Sequence, residues 1–320
     1  MLKNRIREEM IHSAILKPIE GDERFYNLAP QYWVYNELLS NLRKSGWVRF
    51  APGFKGGLYG HPTTQYNGKR VCIKILGMGV GQNPLYFCEK GFYLEHERNM
   101  LLDFRDAGFM FAPAVLEQKE SINFLIKQCN VQRDQAEWRV LNNDLIVMEY
   151  ISGIPFVTQT GRFLNYIPNI IVDNKYDLDE ICSALESLSK QLNRANDMGL
   201  LHNDVMPPNI IFTLSADNKI EARLVDFELA QNLNKISPHY VINSVKELYA
   251  ERDVPKNAAG KYRLNLDQHL MRESIELARE EGAKDISSRN PHWLWDYIEI
   301  KGGVGFISFD FKKWLERHLR

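Results

Sequence analysis

A chain of 320 residues, 44% apolar and 25% charged, has the composition of a globular protein, with length enough for roughly two domains or lobes. Its 40 basic and 41 acidic side chains nearly cancel, so no global charge points to nucleic acid or to an anionic membrane surface. No apolar run approaches the ~18–20 residues that span a bilayer, the first ten residues lack the apolar centre of a secretory signal, and Cys72, Cys88, Cys129 and Cys182 show neither metal nor disulfide spacing. These features exclude a secreted disulfide scaffold and a membrane span, and place the chain in the cytoplasm or another reducing compartment.

Taken in chain order, residues 5–46 read as two helices interrupted by Pro18 and the Gly21-Asp22 turn, with apolar positions at Ile6, Met10 and Ile15 and then at Tyr35, Leu38, Leu39 and Leu42. Strand signals begin at Trp47-Val-Arg-Phe50. A flexible turn follows over residues 52–57, then a strand from Leu58 to Tyr66, the hairpin turn Asn67-Gly68, and a strand from Lys69 to Ile75. A helix is predicted over 92–107, strands over Ser121 to Lys127 and Leu145 to Tyr150, and a helix from Leu178 to Met198 on the stripe Ile181, Leu185, Leu188, Leu192 and Ala195. Short strands fit 210–213 and 221–225. The remaining ninety or so residues read as mainly helical, most clearly at 273–280 and 311–319. A β-rich half thus precedes a helical half, joined at residues 151–155.

Chemistry gathers at a few positions. On an alternating strand Val71, Ile73 and Ile75 face one side while Cys72 and Lys74 face the other. A lysine so placed, after a loop with Gly53, Gly56 and Gly57 whose backbone can approach an anion closely, suits phosphate oxygens. Further on, His202-Asn-Asp204 and Asn209 fall between a helix and a strand. There Asp204 can accept a proton from an attacking hydroxyl while Asn209 coordinates a metal ion. Asp226, in Leu224-Val-Asp226-Phe-Glu228, adds a second acid at a strand end. Two acids, an amide, a lysine and a glycine loop are what phosphoryl transfer needs.

In this order the motifs resemble those of the protein-kinase-like superfamily from about residue 47 to residue 230. The loop from Ala51 to Tyr59 resembles its glycine-rich loop, with Ala51 at the first glycine, and Val71-Cys-Ile-Lys74 resembles V-A-I-K. Glu97-Arg-Asn-Met-Leu101 resembles the helix motif whose glutamate pairs with that lysine; Glu95 would face away, two residues being ~200° of helix. Val147-Met148-Glu149-Tyr150 resembles the hinge, with Met148 as gatekeeper. His202-Asn-Asp204 with Asn209 resembles H-R-D-x-x-x-x-N, and Asp226-Phe-Glu228 resembles D-F-G.

The resemblance implies an α+β, two-lobed protein-kinase-like fold: a helical N-terminal extension (1–46), a β-rich N-lobe (47–150) and a reduced helical C-lobe (151–320) that diverges after residue 230. It implies ATP and Mg2+ as cofactors. Cys72, Met148, the Glu149 carbonyl and the Ile151 amide would line the adenine site. Gly53, Gly56 and Gly57 would cover the phosphates, and Lys74, paired with Glu97, would hold them. Asp204 would be the catalytic base, and Asn209 and Asp226 metal ligands, with Glu228 either supplementing the metal site or capping and solvated.

The departures matter as much. Asn203 stands where many protein kinases carry an arginine that binds an activation-loop phosphate, so no such control is expected. Met206 stands where a lysine commonly contacts phosphate. H-N-D with D-F-E is similar to choline, ethanolamine and other small-molecule kinases. No A-P-E triplet or D-x-W-x-x-G segment follows. The first reading of the acceptor is therefore a protein Ser/Thr hydroxyl and the second a small hydroxyl compound. Nucleotidyl transfer and a pseudokinase scaffold stay open, and the divergent C-lobe is the place for a regulatory effector.

Overall fold

The computed structural model describes residues 2–12, 33–52, 56–76, 94–160, 165–168, 175–252, 254–256, 265–283, 298–301 and 306–309. The predicted helix at 311–319 and Gly53 lie outside these residues.

Two helices come first, α1 (Leu2–His12) and α2 (Trp33–Lys44). Strands β1 (Val48–Pro52), β2 (Gly56–Tyr66), β3 (Lys69–Leu76) and β4 (Leu145–Glu149) then form an antiparallel sheet in that order. Asn67 and Gly68 both take positive φ (50° and 76°), the geometry a two-residue hairpin needs. Alternation decides the two faces of the sheet. Val71, Ile73 and Ile75 enter a core with Trp47, Tyr59 and the Leu38–Leu39–Leu42 stripe of α2. Cys72 and Lys74 turn the other way.

The segment predicted as a strand over 121–127 is instead helical. Helices α3 (Leu94–Asp106), α4 (Gln118–Cys129) and α5 (Arg133–Leu141) all precede β4. In α4 the buried positions Ser121, Phe124, Leu125 and Cys129 recur at three and four residues, a period the short apolar window concealed. Glu117 and Glu120 close its start as a capping box, and Asn130 ends it in the left-handed region at φ 52°. Phe124 and Leu125 join the core behind the sheet, so α4 covers that face.

Past β4 the chain enters the second lobe through β5 (Ile154–Pro155). Gly153 is required there, since a Cβ would lie 2.1 Å from the Phe212 carbonyl. A two-stranded ribbon, β6 (Val157–Thr160) and β7 (Asn165–Pro168), leads to α6 (Lys175–Asp197). In α6 the stripe Ile181, Leu185, Leu188, Leu192 and Ala195 is buried; each such leucine contributes about 1.5–3 kcal/mol, which fixes the face the helix turns inward. Strands β8 (Leu200–Leu201), β9 (Ile210–Leu214), β10 (Ile220–Leu224) and β11 (Gln231–Asn232) follow, with sheet orders β10-β9-β5 and β11-β8. Helices α7 (His239–Glu251) and α8 (Leu266–Ala283) complete the lobe.

The last ninety residues are less uniformly helical than their sequence suggests, because β12 (Ile298–Lys301) and β13 (Phe306–Phe309) pair as an antiparallel hairpin. The two helices of residues 1–46 serve different lobes. Leu2 and Ile6 of α1 sit in the C-lobe core, with Lys3 paired to Glu180 of α6 at 2.5 Å, whereas α2 belongs to the sheet. Among the described residues no helix is long and apolar enough to cross a membrane.

Candidate active site

Lys74 opens the site. It lies on β3, 7% exposed, opposite Leu58 and Ile146 in the sheet register. Its Nζ donates to Glu97 Oε2 at 2.7 Å and Oε1 at 3.0 Å, and to Asp226 Oδ1 at 3.3 Å. Glu97 reaches it because α3 turns Leu94, Glu97, Met100, Leu101 and Phe104 inward; Glu95 is exposed. Burial opposes the Lys74 charge, but Asp226, Glu97 and Glu228 outweigh it and hold the ammonium protonated, above its ordinary value. Burial pushes the Glu97 carboxyl up, with the Lys74 ammonium pulling it back.

The second part is a loop between β8 and a single 3-10 turn at Pro207–Asn209. Asn203 takes φ 64°, which reverses the chain and turns the N–H groups of His202 and Asn203 onto one buried carboxylate, that of Asp267. His202 Nδ1 accepts the Asp204 N–H (3.2 Å), and its ring meets Phe227 edge-on at 4.5 Å. Phe227 in turn packs on Phe104 of α3, so loop, helix and the Asp226 segment share one apolar joint. Asn209 Nδ2 donates to the Asp204 carbonyl (3.0 Å) and to Asp204 Oδ2 (2.8 Å), leaving its own side-chain oxygen outside that pair. Val225 N–H donates to the Asn209 carbonyl, and Asp226 at φ 64° bends its carboxylate towards Lys74.

Burial, Asp226 and Glu228 push the Asp204 carboxyl up to about 7, against pulls from Arg252 and Asn209. The cleft therefore gathers anions: Glu97, Asp226 and Glu228 act on the buried Lys74 ammonium, and Asp226 and Glu228 act on Asp204 as well. Carboxylate and amide oxygens of this kind suit magnesium. Asn209, Asp226 and Glu228 carry side-chain oxygens that could hold such an ion.

The positions expected from the sequence to line an adenine are more dispersed in role. Gly56 and Gly57 lie within β2, opposite Leu76 and Ile75. Met148 is half-buried against the C-lobe core and bridges to Val115, and Ile151 is buried. The Cys72 thiol lies 3.9 Å from the Glu149 carbonyl; burial pushes its pKa up to about 12, which suits packing and not nucleophilic chemistry. The Glu149 side chain has a task that sequence reasoning missed. Its carboxylate takes Arg223 at 2.8 and 3.1 Å, the Ala114 N–H at 3.0 Å and Lys69 at 3.2 Å. Burial would raise that carboxyl, but Arg223, Ala114 and Lys69 hold it below its ordinary value.

Asp267 was missed as well. It stands two residues after Asn265, whose side chain accepts the Gln268 N–H, so in sequence it reads as an ordinary acid in a first helical turn. No local signal links it to a loop more than sixty residues earlier.

Burial makes His202 a pH sensor of stability. It pushes the imidazole down to about 4, with Asp226 and the Val225 carbonyl offsetting part of the effect. Between pH 6.5 and 4 the unfolded chain takes a proton there that the folded chain refuses, so this contribution is present above pH 6.5 and is lost as pH falls. Asp204 and Asp267, raised to about 7 and about 6, act in the opposite sense and favour the folded state at low pH. The stability advantage of wild type over His202→Gln should therefore shrink by up to about 3 kcal/mol between pH 7 and pH 4.5, at roughly 1.4 kcal/mol per pH unit. Urea unfolding at both pH values measures it, and a constant difference would contradict a buried neutral imidazole.

This order of side chains is similar to that of the protein-kinase-like superfamily. No family model matches the chain. Two probable serine/threonine-protein kinases of Dictyostelium discoideum are similar to parts of it, at 27% identity over 99 residues and 32% over 95. These stretches cover 31% and 28% of this chain but only 7% and 12% of those proteins. Two crystal structures of the Rio2 kinase from Chaetomium thermophilum, one an ADP/Mg2+-phosphoaspartate complex, align at TM-score 0.38 with 15% and 13% identity. The alignments cover 79% and 82% of this chain and 77% and 80% of theirs.

Proposed function

We propose that the protein is an ATP- and magnesium-dependent phosphotransferase acting on a protein Ser/Thr hydroxyl. The observation that carries this reading is the Lys74 ammonium held between Glu97 and Asp226, with Asp204 and Asn209 hydrogen-bonded on the facing loop. In this reading Lys74 binds and orients the α- and β-phosphates of ATP, Gly56 and Gly57 leave backbone room above them, and the Glu149 carbonyl and Ile151 amide hold the adenine. Asp204 takes the proton of the acceptor hydroxyl as its oxygen bonds to the γ-phosphorus and the bond to the bridging oxygen breaks, releasing ADP. Magnesium, when bound, would neutralise phosphate charge that Lys74 alone cannot. His202 braces the loop and moves no proton.

A second reading, transfer to a small hydroxyl compound, is favoured by Glu228, whose charge acts on Lys74, Asp204 and Glu97 together. The test is incubation with γ-labelled ATP and magnesium, with label resolved as protein-bound or small-molecule phosphate. Transfer to protein is expected, abolished by Asp226→Asn. Label only in small molecules would establish the second reading, and no magnesium-dependent turnover at all would leave a scaffold. In the same assay Glu228→Gln should raise the magnesium requirement if that acid helps hold the metal; an unchanged titration would remove it from the site.

A further inference from the structure

The catalytic loop carries an apolar side chain, Met206, two residues beyond its base, in a cleft crowded with carboxylates. The structure brings a cation there from elsewhere. Arg252 ends α7, and its Nη2 lies 2.7 Å from the Met206 sulfur. Its charge acts on the Asp204 carboxyl. The main chain at this point is fixed from both sides: the Arg252 N–H donates to the Leu248 carbonyl at 2.9 Å, and its carbonyl faces His269 Nε2 at 3.1 Å on α8. Among the described residues the guanidinium forms no ion pair, and a thioether is a weak acceptor that leaves most of its five N–H donors unspent. Lys74, by contrast, is already engaged by two carboxylates. The opposite end of α7 packs on α3, where the Tyr240 ring meets His96 edge-on at 6.2 Å.

We propose that Arg252 binds the phosphoryl group being transferred, donating to its non-bridging oxygens from the side of Asp204. The inference rests on the phosphotransferase reading and adds the group that reading lacks. As the acceptor oxygen bonds to phosphorus and the bridging P–O bond breaks, its electron pair leaves with ADP and the acceptor proton passes to Asp204. Arg252 exchanges no proton and stabilises the charge spread over the remaining oxygens, the role for which a planar guanidinium is suited. It follows that α7, a helix beyond the stretch that resembles protein kinases, supplies part of the phosphate site.

The test uses the full chain. Magnesium-dependent ATP turnover with water as acceptor, ATP and ADP affinity by calorimetry, and thermal melting are measured for wild type, Arg252→Met, Arg252→Lys and the double variant Arg252→Met with Met206→Lys. Arg252→Met should lower kcat about 10²-fold, as loss of one transition-state donor does. It should lower ATP affinity more than ADP affinity, leave the melting temperature within about 2 °C, and be partly rescued both by Arg252→Lys and by Met206→Lys. Wild-type turnover in Arg252→Met would overturn the inference and leave the phosphotransferase reading standing. So would intact hydrolysis with lost transfer to an added acceptor, which would make Arg252 an acceptor contact. A lower melting temperature with no rescue would make it structural. Absence of ATP binding and turnover in wild type would remove both readings.

Discussion

Asp204→Asn should bind ATP with nearly wild-type affinity and turn over about 10²–10⁴-fold more slowly, the range that a positioned general base contributes. The substitution keeps the side chain's size and an oxygen that can still accept the Asn209 amide, now 2.8 Å from Asp204 Oδ2, so the loop should hold its shape. In the proposed phosphotransfer it removes the site for the acceptor's proton, which matters in the transition state far more than in the nucleotide complex. Isothermal titration with ATP and magnesium, set beside single-turnover transfer, separates the two effects. Wild-type turnover would show that the proton leaves by another route; lost ATP binding would show that Asp204 shapes the nucleotide site instead. Protonation of Asp204 also removes the base, so activity should fall on the acid side of a limb that magnesium moves to lower pH, because a cation beside Asp226 and Glu228 offsets the charges that raise this carboxyl.

The second large effect is expected at Asp267, far from any transferred atom. Its two oxygens accept the N–H groups of His202, at 2.8 Å, and Asn203, at 2.5 Å, inside the protein. Asp267→Ala leaves two buried donors without a partner. At about 1–3 kcal/mol each, the expected loss is about 2–6 kcal/mol of stability. Because those amides set the turn that aims Asp204, turnover should fall together with stability. Asp267→Asn, which retains one acceptor oxygen, should recover part of both. Chemical unfolding and kcat on the same preparations decide the matter, and an Ala variant with a wild-type midpoint would show that the loop is held by other contacts.

Glu97 was identifiable from the sequence because a helix obliges residues two apart to face opposite ways, and Asp204, Asn209 and Asp226 because one short loop and one strand end hold them. Local spacing is enough for such features. It fails where a partner is distant. Asp267 and Arg252 act on a loop 46 or more positions away, and the Glu149 carboxylate is understood only when Arg223 arrives from another strand. The helix at Gln118–Cys129 was lost for a different reason: over seven residues a half-buried helix and a strand have similar apolar content, and the capping glutamates that separate them stand outside that window. The hairpin at Ile298–Lys301 and Phe306–Phe309 was hidden in the same way, behind a general impression of helical composition.

The carboxylate of Glu149 joins the last residue of the N-lobe sheet to Arg223, three residues before Asp226, while Arg223 Nη2 also donates to the Ala112 carbonyl at 2.9 Å. A two-pronged contact of this kind resists rotation as well as sliding. It has company along the same seam: His96 Nε2 meets the Ala230 carbonyl at 2.8 Å, Asn232 Nδ2 donates to Asp103 at 2.9 Å, and Phe227 packs on Phe104. The lobes are thus riveted at several places, and the 3.3 Å contact of Lys74 with Asp226 lies inside that riveted frame.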